Sequence, residues 1–491
     1  MSNLIGFVNG LLWGNVLIYL LLGVGLFFTI KTRFVQFRRF GLAVRTMLGS
    51  REKTCDSQVS AFQAFCTSLA ARIGTGNMAG VAVAIYLGGP GAVFWMWMIA
   101  LIGMSTSLAE NILAQAYKTN NGDGTFRGGP AYYMEKALGQ RWMGVTFSIA
   151  LIIAFGFAFN SVQSNSIAAA FSGYGIPPEA IGIALAVASG LVIFGGIRSI
   201  AKVAEMVVPV MALSYLAVAL IVVLMNIAEL PAVFSLIFKS AFGIETAASG
   251  GIGYMVSTAM MQGIRRGLFS NEAGMGSAPN AAAAAHSTHP VNQGLMGMLG
   301  VFIDTIVVCT ATAAIILVSG MLEPGSGLTG VALTQAALAS QIGPIGEYLV
   351  AMAILLFAFT SIIANYYYGE SNLRFIKDNK IILMVYRLAV LGMVVWGAVS
   401  SLPTVWDFAD AAMGTMAIIN LVAILLLSGL VTQVLKDYDE QVDAGKTPVF
   451  NRRKFPFLDK TMDDDVWTEN CSGPAYKGDN ISINTAPVSD N

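Results

Sequence analysis

The sequence predicts an all-α polytopic membrane protein of about eleven transmembrane helices, and three observations carry that prediction. Of its 491 residues, 56% are hydrophobic and 11% charged, with a mean hydropathy of +0.68. A soluble domain carries about 25% charged residues, so most of this surface must face something other than water. Apolar runs of about 20 residues, the length of a membrane-crossing helix, recur from Leu11 to Gln433. Lysine and arginine gather in alternate connectors, the asymmetry that orients spans in a bilayer.

To within a few residues, the spans fall at 12–30, 61–87, 92–117, 143–170, 179–197, 203–225, 250–284, 292–319, 344–370, 381–400 and 404–433. The first has no basic segment before it and no small-residue cleavage site after it, so it reads as a retained span rather than a signal peptide. The connector from Lys31 to Lys53 is strongly basic, which places it inside and the N-terminus outside. Threading onward collects Lys118, Arg127, Lys136 and Arg141, then Arg198 and Lys202, then Arg374, Lys377 and Lys380 on the inner side. The outer side keeps Lys239 among Glu179, Glu229, Glu245, Glu323 and Glu347. The tail from Lys436 is polar, carries Arg452, Arg453, Lys454 and Lys460, and is expected to be a mostly disordered cytoplasmic extension.

Four segments follow: 1–57 holds the extra first span and its basic connector, 58–226 and 227–435 hold five spans each, and 436–491 is the tail. Five spans per half is an odd number, so the second half is inverted relative to the first. Each half should open with its interrupted helix. The first half opens with CTSLAARIGTGNMAGVAVAIYLGGPG (66–91), broken at Gly74-Thr75-Gly76-Asn77, and the second breaks around Gly274, Gly276 and Pro279. Taken alone, Gly76 and Gly80 are also a small-residue packing pair. Glycine breaks at matching positions of two inverted halves favour a transport site, where irregular backbone lines a polar cavity.

Other signals exclude more than they assign. Cys55, Cys66, Cys309 and Cys471 are scattered and suggest neither a metal site nor a disulfide framework. His286 and His289 read as a solvated loop, and without a GxxxxGK[ST] loop direct ATP drive is not expected. Arg72, Glu110, Arg265, Arg266, Glu272 and Asp304 fall inside spans, where a charge must be paired or wet. Arg72 with Glu272 or Asp304 is the expected ion pair or gate, and a proton-coupling role for either acid is the alternative.

Several longer motifs resemble one family. Ile73-Gly74-Thr75-Gly76-Asn77, the run Gly88 to Trp97, Arg127-Gly128-Gly129-Pro130, Gly267 to Gly274 and Tyr366-Tyr367-Tyr368-Gly369-Glu370 are similar to the alanine or glycine:cation symporters (sodium:alanine symporters) over about residues 1–440. The resemblance implies sodium-coupled uptake of small neutral amino acids on a leucine-transporter-like fold: one extra N-terminal span and a 5+5 inverted-repeat core with two discontinuous helices.

An amino-acid zwitterion needs donors for its carboxylate, and helix N-termini provide them. Thr75, Gly76 and Asn77, with Gly274, Gly276 and Ser277, are therefore the expected substrate contacts. Gln163, in the amide-rich stretch FNSVQSNSIAAAF, joins them through the resemblance, while nearby Asn160 reads rather as interhelical glue. The fold analogy places sodium at the carbonyls of Ala70 and Ile73 and the hydroxyls of Thr360 and Ser361; the plain alternative is that both hydroxyls bond back to their own helix. Asn365 stands where members of the family often carry tryptophan, which implies a more polar side-chain pocket.

The expectation is thus a symporter working by alternating access in the bacterial cytoplasmic membrane, C-terminus inside. Its ligands are Na+ and alanine or glycine, with serine or glutamine as further candidates. No enzyme chemistry, cofactor or nucleic acid is expected. A proton-coupled transporter is the nearest alternative and a channel the next.

Overall fold

The structure, a computed structural model, describes residues 2–50, 58–244, 252–322 and 327–467. Cys55, Glu245, Glu323, Cys471 and the first residues of the 250–284 span lie outside these.

In chain order the principal helices are α1 (Ile5–Lys31), α2 (Ala61–Arg72), α3 (Gly76–Gly88), α4 (Gly91–Ala116), α5 (Arg141–Ala170), α6 (Pro178–Ile193), α7 (Gly196–Met225) and α8 (Leu230–Ala241). They continue as α9 (Ile252–Asn271), α10 (Pro279–Ala284), α11 (Pro290–Val318), α12 (Gly330–Ile342), α13 (Ile345–Ile376), α14 (Lys380–Val399), α15 (Leu402–Leu426) and α16 (Ser428–Asp443). Eight of them, α1, α4, α5, α7, α11, α13, α14 and α15, are long and apolar enough to cross a membrane. The two interrupted spans appear as the pairs α2–α3 and α9–α10. The short α8 and α12 were not anticipated: they lie between the expected spans, and their apolar content gives no separate signal.

Local chemistry explains the ends. Ser60 Oγ accepts from Gln63 N (3.1 Å) while Gln63 Oε1 accepts from Ser60 N (3.2 Å), a reciprocal cap that starts α2. Asn379 caps α14 through Ile381 N and Ile382 N. Proline occupies the first turn of α6, α10, α11 and α15, where its missing N–H costs nothing. Two wide turns of π geometry interrupt α5 (Ile152–Phe159) and α11 (Phe302–Cys309), a feature frequent at functional sites.

The interrupted helices form the centre. Residues 61–85 and 266–285 are buried all round, packed by α4, α7, α11 and α13. The outer helices expose apolar side chains instead: Leu213, Leu220 and Leu224 on α7, and Val385 and Leu388 on α14, as lipid contact requires. The extra span α1 is fixed to α15, with Trp13 Nε1 donating to the Asp410 carbonyl (3.2 Å) and Asn9 Nδ2 to that of Asp407 (3.0 Å).

The tail departs from expectation. Residues 436–467 are ordered: α16 is followed by a strap that buries Phe450, Leu458, Val466 and Trp467. Composition concealed this because a few large apolar residues anchor an otherwise charged segment. Trp467 Nε1 donates to the Ala116 carbonyl (3.2 Å), and Lys118 Nζ lies between the Phe126 and Trp467 rings (4.2 and 4.3 Å). Arg38 and Arg39 of the basic connector pair with Asp439 (2.8 and 2.9 Å) on α16.

His289 is likewise buried rather than in a solvated loop. Its Nδ1 accepts from Val291 N (3.2 Å), capping α11, and its Nε2 faces Asp437 (3.4 Å). Burial lowers the His289 pKa against the pull of Asp437. Burial would raise the Asp437 carboxyl, but His289 and Lys454 outweigh it and hold it at about 2. Residues 468–491 lie outside the described region.

Candidate functional site

The first break is built on Gly74. A Cβ there would collide with Ser361 Oγ and lie 3.0 Å from Gln163 Oε1, so only glycine lets both side chains reach the backbone. The chain turns at Ile73 (φ −77°, ψ 86°), and the N–H groups beyond it meet side chains. Gly74 N donates to Asn77 Oδ1 (2.9 Å), and Thr75 N donates to Gln163 Oε1 (2.9 Å). The Thr75 hydroxyl is buried without a partner. Gly76 serves packing as well: a Cβ there would lie 3.0 Å from Ser270 Cα, at the approach of the two interrupted helices.

The second break is different. Glu272 (φ 58°), Gly274 (φ 84°) and Gly276 (φ 82°) take left-handed conformations, a strained one for the glutamate. Gly274 N and Gly276 N donate to the two oxygens of Glu110 (3.2 and 3.0 Å), and Asn420 Nδ2 adds a third bond (2.8 Å). Ser277 Oγ donates to Glu272 Oε2 (2.6 Å). The carboxylates that meet this break are thus the protein's own: Glu110 and Glu272 take the Gly274 N–H, the Gly276 N–H and the Ser277 hydroxyl, groups expected to face substrate. A glycine pattern locates a break but cannot tell what fills it.

Asp304, in the π turn of α11, ties the breaks together. It accepts from Asn77 Nδ2 (2.7 Å), Ser270 Oγ (3.0 Å) and Thr305 Oγ1 (2.7 Å). The side chain of Asn77 is therefore consumed by the scaffold at both ends. Arg72 does not pair directly with Glu272 or Asp304. It donates to the Gly297 carbonyl (2.9 Å) and Ser107 Oγ (3.1 Å), and its charge faces Glu110, Glu272 and Asp304 at longer range. Like-charged acids on three elements around one guanidinium leave no single carboxylate to claim it.

The four expected cation ligands come together only in part. Ser361 Oγ bonds both the Ala70 carbonyl (2.7 Å) and the Phe357 carbonyl of its own helix (2.9 Å). Thr360 Oγ1 bonds back to Phe357 (3.0 Å). Ile73 ends the same helix as Ala70. One turn along α13, Asn365 Nδ2 donates to Asn160 Oδ1 (3.1 Å), so Asn160 is interhelical glue as expected. On the other flank, Phe159 stacks on Phe269 (4.3 Å), which abuts Trp406 (4.6 Å), with Arg266 over that ring and paired to Asp410.

Glu110 was visible in the sequence as an intramembrane charge but without a role. Asn420, Ser270 and Cys309, whose Sγ faces Asn77 (3.4 Å), carried no signal, because single polar residues on apolar helices are common.

Two buried discontinuous helices, with N–H groups at both breaks met by side chains, are the arrangement of a multi-pass membrane transporter. The chain belongs to the sodium:alanine symporter family, which it matches over residues 1–452, and is a cation-coupled amino-acid symporter. It is 50% identical over 92% of its length, and 93% of the relative's, to a probable sodium/glutamine symporter, GlnT, of Bacillus subtilis (strain 168). It is 42% identical over 89% of its length, and 97% of the relative's, to the sodium/alanine symporter AgcS of Methanococcus maripaludis. Its fold is that of MhsT, solved with L-phenylalanine, at a TM-score of 0.52 and 14% identity over 83% of this chain and 96% of that one.

Proposed function

We propose that this protein is a sodium-coupled symporter that imports small neutral amino acids by alternating access. One observation carries the reading: within six residues, the end of α2 is held both by a hydroxyl on a carbonyl, Ser361 on Ala70 (2.7 Å), and by an amide oxygen on an N–H, Gln163 on Thr75 (2.9 Å). The first is where a cation would insert, the second where a carboxylate would.

In this reading Gln163 Oε1 occupies the position of a substrate carboxylate oxygen. The substrate displaces it from Thr75 N–H, with Gly76 and the unpartnered Thr75 hydroxyl alongside. Sodium takes the carbonyls of Ala70 and Ile73 and the hydroxyls of Thr360 and Ser361. Both ligands order the same short backbone segment, so each strengthens binding of the other by the same factor. The Arg266–Asp410 pair with Phe159, Phe269 and Trp406 closes the outer side, and the Val59–Ala285 backbone bridge joins the inner ends of the two interrupted helices. The names of GlnT and AgcS support glutamine and alanine as the cargo to try first. The cycle requires no cofactor, and the basic connectors support a bacterial cytoplasmic membrane with the N-terminus outside.

The test is uptake of alanine, glycine, serine and glutamine into proteoliposomes with and without an inward sodium gradient. Equal uptake in sodium and choline sinks the coupling. A proton-coupled cycle has one observation on its side, the buried Glu272 Oε1 without a partner. Uptake by the Glu272→Gln variant over a pH series separates it from the sodium cycle.

A further inference from the structure

The amide pair Asn160–Asn365 leaves one polar atom without any partner, and the network fixes which atom it is. Asn160 Nδ2 donates to the Gly156 carbonyl (3.2 Å), an acceptor that cannot be reversed. Asn160 must therefore turn its oxygen toward Asn365, and Asn365 must answer with its nitrogen (3.1 Å). The remaining atom is Asn365 Oδ1. It is fully buried, on a residue with no exposed surface, and has no hydrogen-bond partner.

Its position is as telling as its state. Asn365 follows Ser361 by one turn on α13, and Asn160 precedes Gln163 by about one turn on α5. Ser361 and Gln163 are the two side chains that touch the first break. The orphaned oxygen thus sits one turn from the proposed carboxylate and cation positions, about as far as an amino-acid side chain reaches. A buried acceptor left unpaired is costly, and a ligand able to pair it recovers that cost on binding.

We propose that Asn365 Oδ1 is the specificity-determining acceptor of the substrate pocket, and that it selects neutral amino acids whose side chain ends in an N–H or O–H donor over apolar side chains of the same size. The inference rests on the symporter reading above. A site built to accept a hydrogen bond discriminates against the isostere that cannot donate one, here by about ten- to a hundredfold in kcat/KM. An aliphatic side chain at this position would present no such demand.

The experiment compares isosteric pairs in proteoliposomes of the full chain under a sodium gradient: L-serine against L-2-aminobutyrate, and L-glutamine against L-homoleucine. In the wild type the polar member of at least one pair is favoured about tenfold or more, and in Asn365→Leu that ratio falls to near one. Asn365→Ser, which keeps an oxygen acceptor, retains a preference and guards against a misfolded leucine variant. Equal use of both members of each pair by the wild type, or an unchanged ratio in Asn365→Leu, overturns the proposal. Absence of sodium-stimulated uptake for every amino acid overturns the symporter reading instead.

Discussion

Asn77 and Asp304 are joined twice: the Asn77 amide nitrogen donates to the Asp304 carboxylate (2.7 Å) and to its backbone carbonyl (3.1 Å). This contact binds the resumed half of the first interrupted helix to α11, and Ser270 brings the second interrupted helix to the same carboxylate (3.0 Å). Three buried donors converge on Asp304. Asp304→Asn supplies one acceptor where two are used and should destabilise the protein by about 1–3 kcal/mol. Thermal unfolding in detergent measures the loss. Combined with Asn77→Ala, it should cost less than the sum of the two, since both remove one contact. Strict additivity would show that the pair is not coupled.

Glu110 is the acceptor for both left-handed glycines of the second break. Glu110→Gln has one oxygen for three donors, so an N–H or the Asn420 amide is orphaned in a dry interior. The expected cost is again about 1–3 kcal/mol, with little recovery at high substrate concentration. Full rescue by saturating alanine would mean that the substrate, not Glu110, normally meets those groups.

Ser361 and Thr360 should separate in their sodium response. Ser361 reaches across to Ala70, whereas Thr360 bonds only within its own helix and to Met211 Sδ (3.6 Å). Ser361→Ala should raise the sodium concentration for half-maximal uptake by about tenfold, the equivalent of one hydrogen bond or ligand contact. Thr360→Ala should raise it less.

The C-terminal strap should respond to pH through His289. Burial lowers its pKa in the folded state below the ordinary value of about 6.5, so the unfolded or undocked chain binds the proton more readily. The stabilising contribution is complete above about pH 6.5 and declines as pH falls toward the lower folded value. Asp437, held at about 2, stays charged throughout. Hydrogen-exchange protection of residues 444–467, taken relative to the intrinsic exchange rate at each pH, should therefore fall between pH 8 and pH 5, and His289→Gln should flatten the profile.

Trp467 anchors the end of that strap on Ala116 and Lys118. Trp467→Ala should cost about 3–5 kcal/mol of strap docking and expose the face it covers to limited proteolysis. An unchanged cleavage pattern would show that other contacts hold the strap.

The helical membrane architecture could be read from the sequence because hydrophobic length acts through the bilayer, a solvent that permits few solutions. The breaks could be read because glycine and proline report backbone geometry directly. What fills the breaks could not: Glu110 lies 164 residues from Gly274, and a single buried acid on an apolar helix has many possible partners. The strap was missed because its anchoring residues, Phe450, Leu458, Val466 and Trp467, are too sparse in a charged segment to mark a helical or strand face. Arg72 was given an ion-pair partner on charge alone, and a backbone carbonyl and a serine hydroxyl, invisible to such reasoning, took its place.

The contacts of α1 with α15 and of the basic connector with α16 span 397 to 404 residues of chain. During synthesis the first helix therefore enters the lipid long before its neighbour exists, with Asn9 and Trp13 waiting for carbonyls not yet made. The first span gains its α15 contacts only when α15 arrives, and Arg38 and Arg39 meet Asp439 only once α16 has left the ribosome. The pairings most distant in sequence thus form late in biogenesis, and a chain interrupted shortly before Leu402 should leave the polar groups of α1 unpaired and be recognised by quality control.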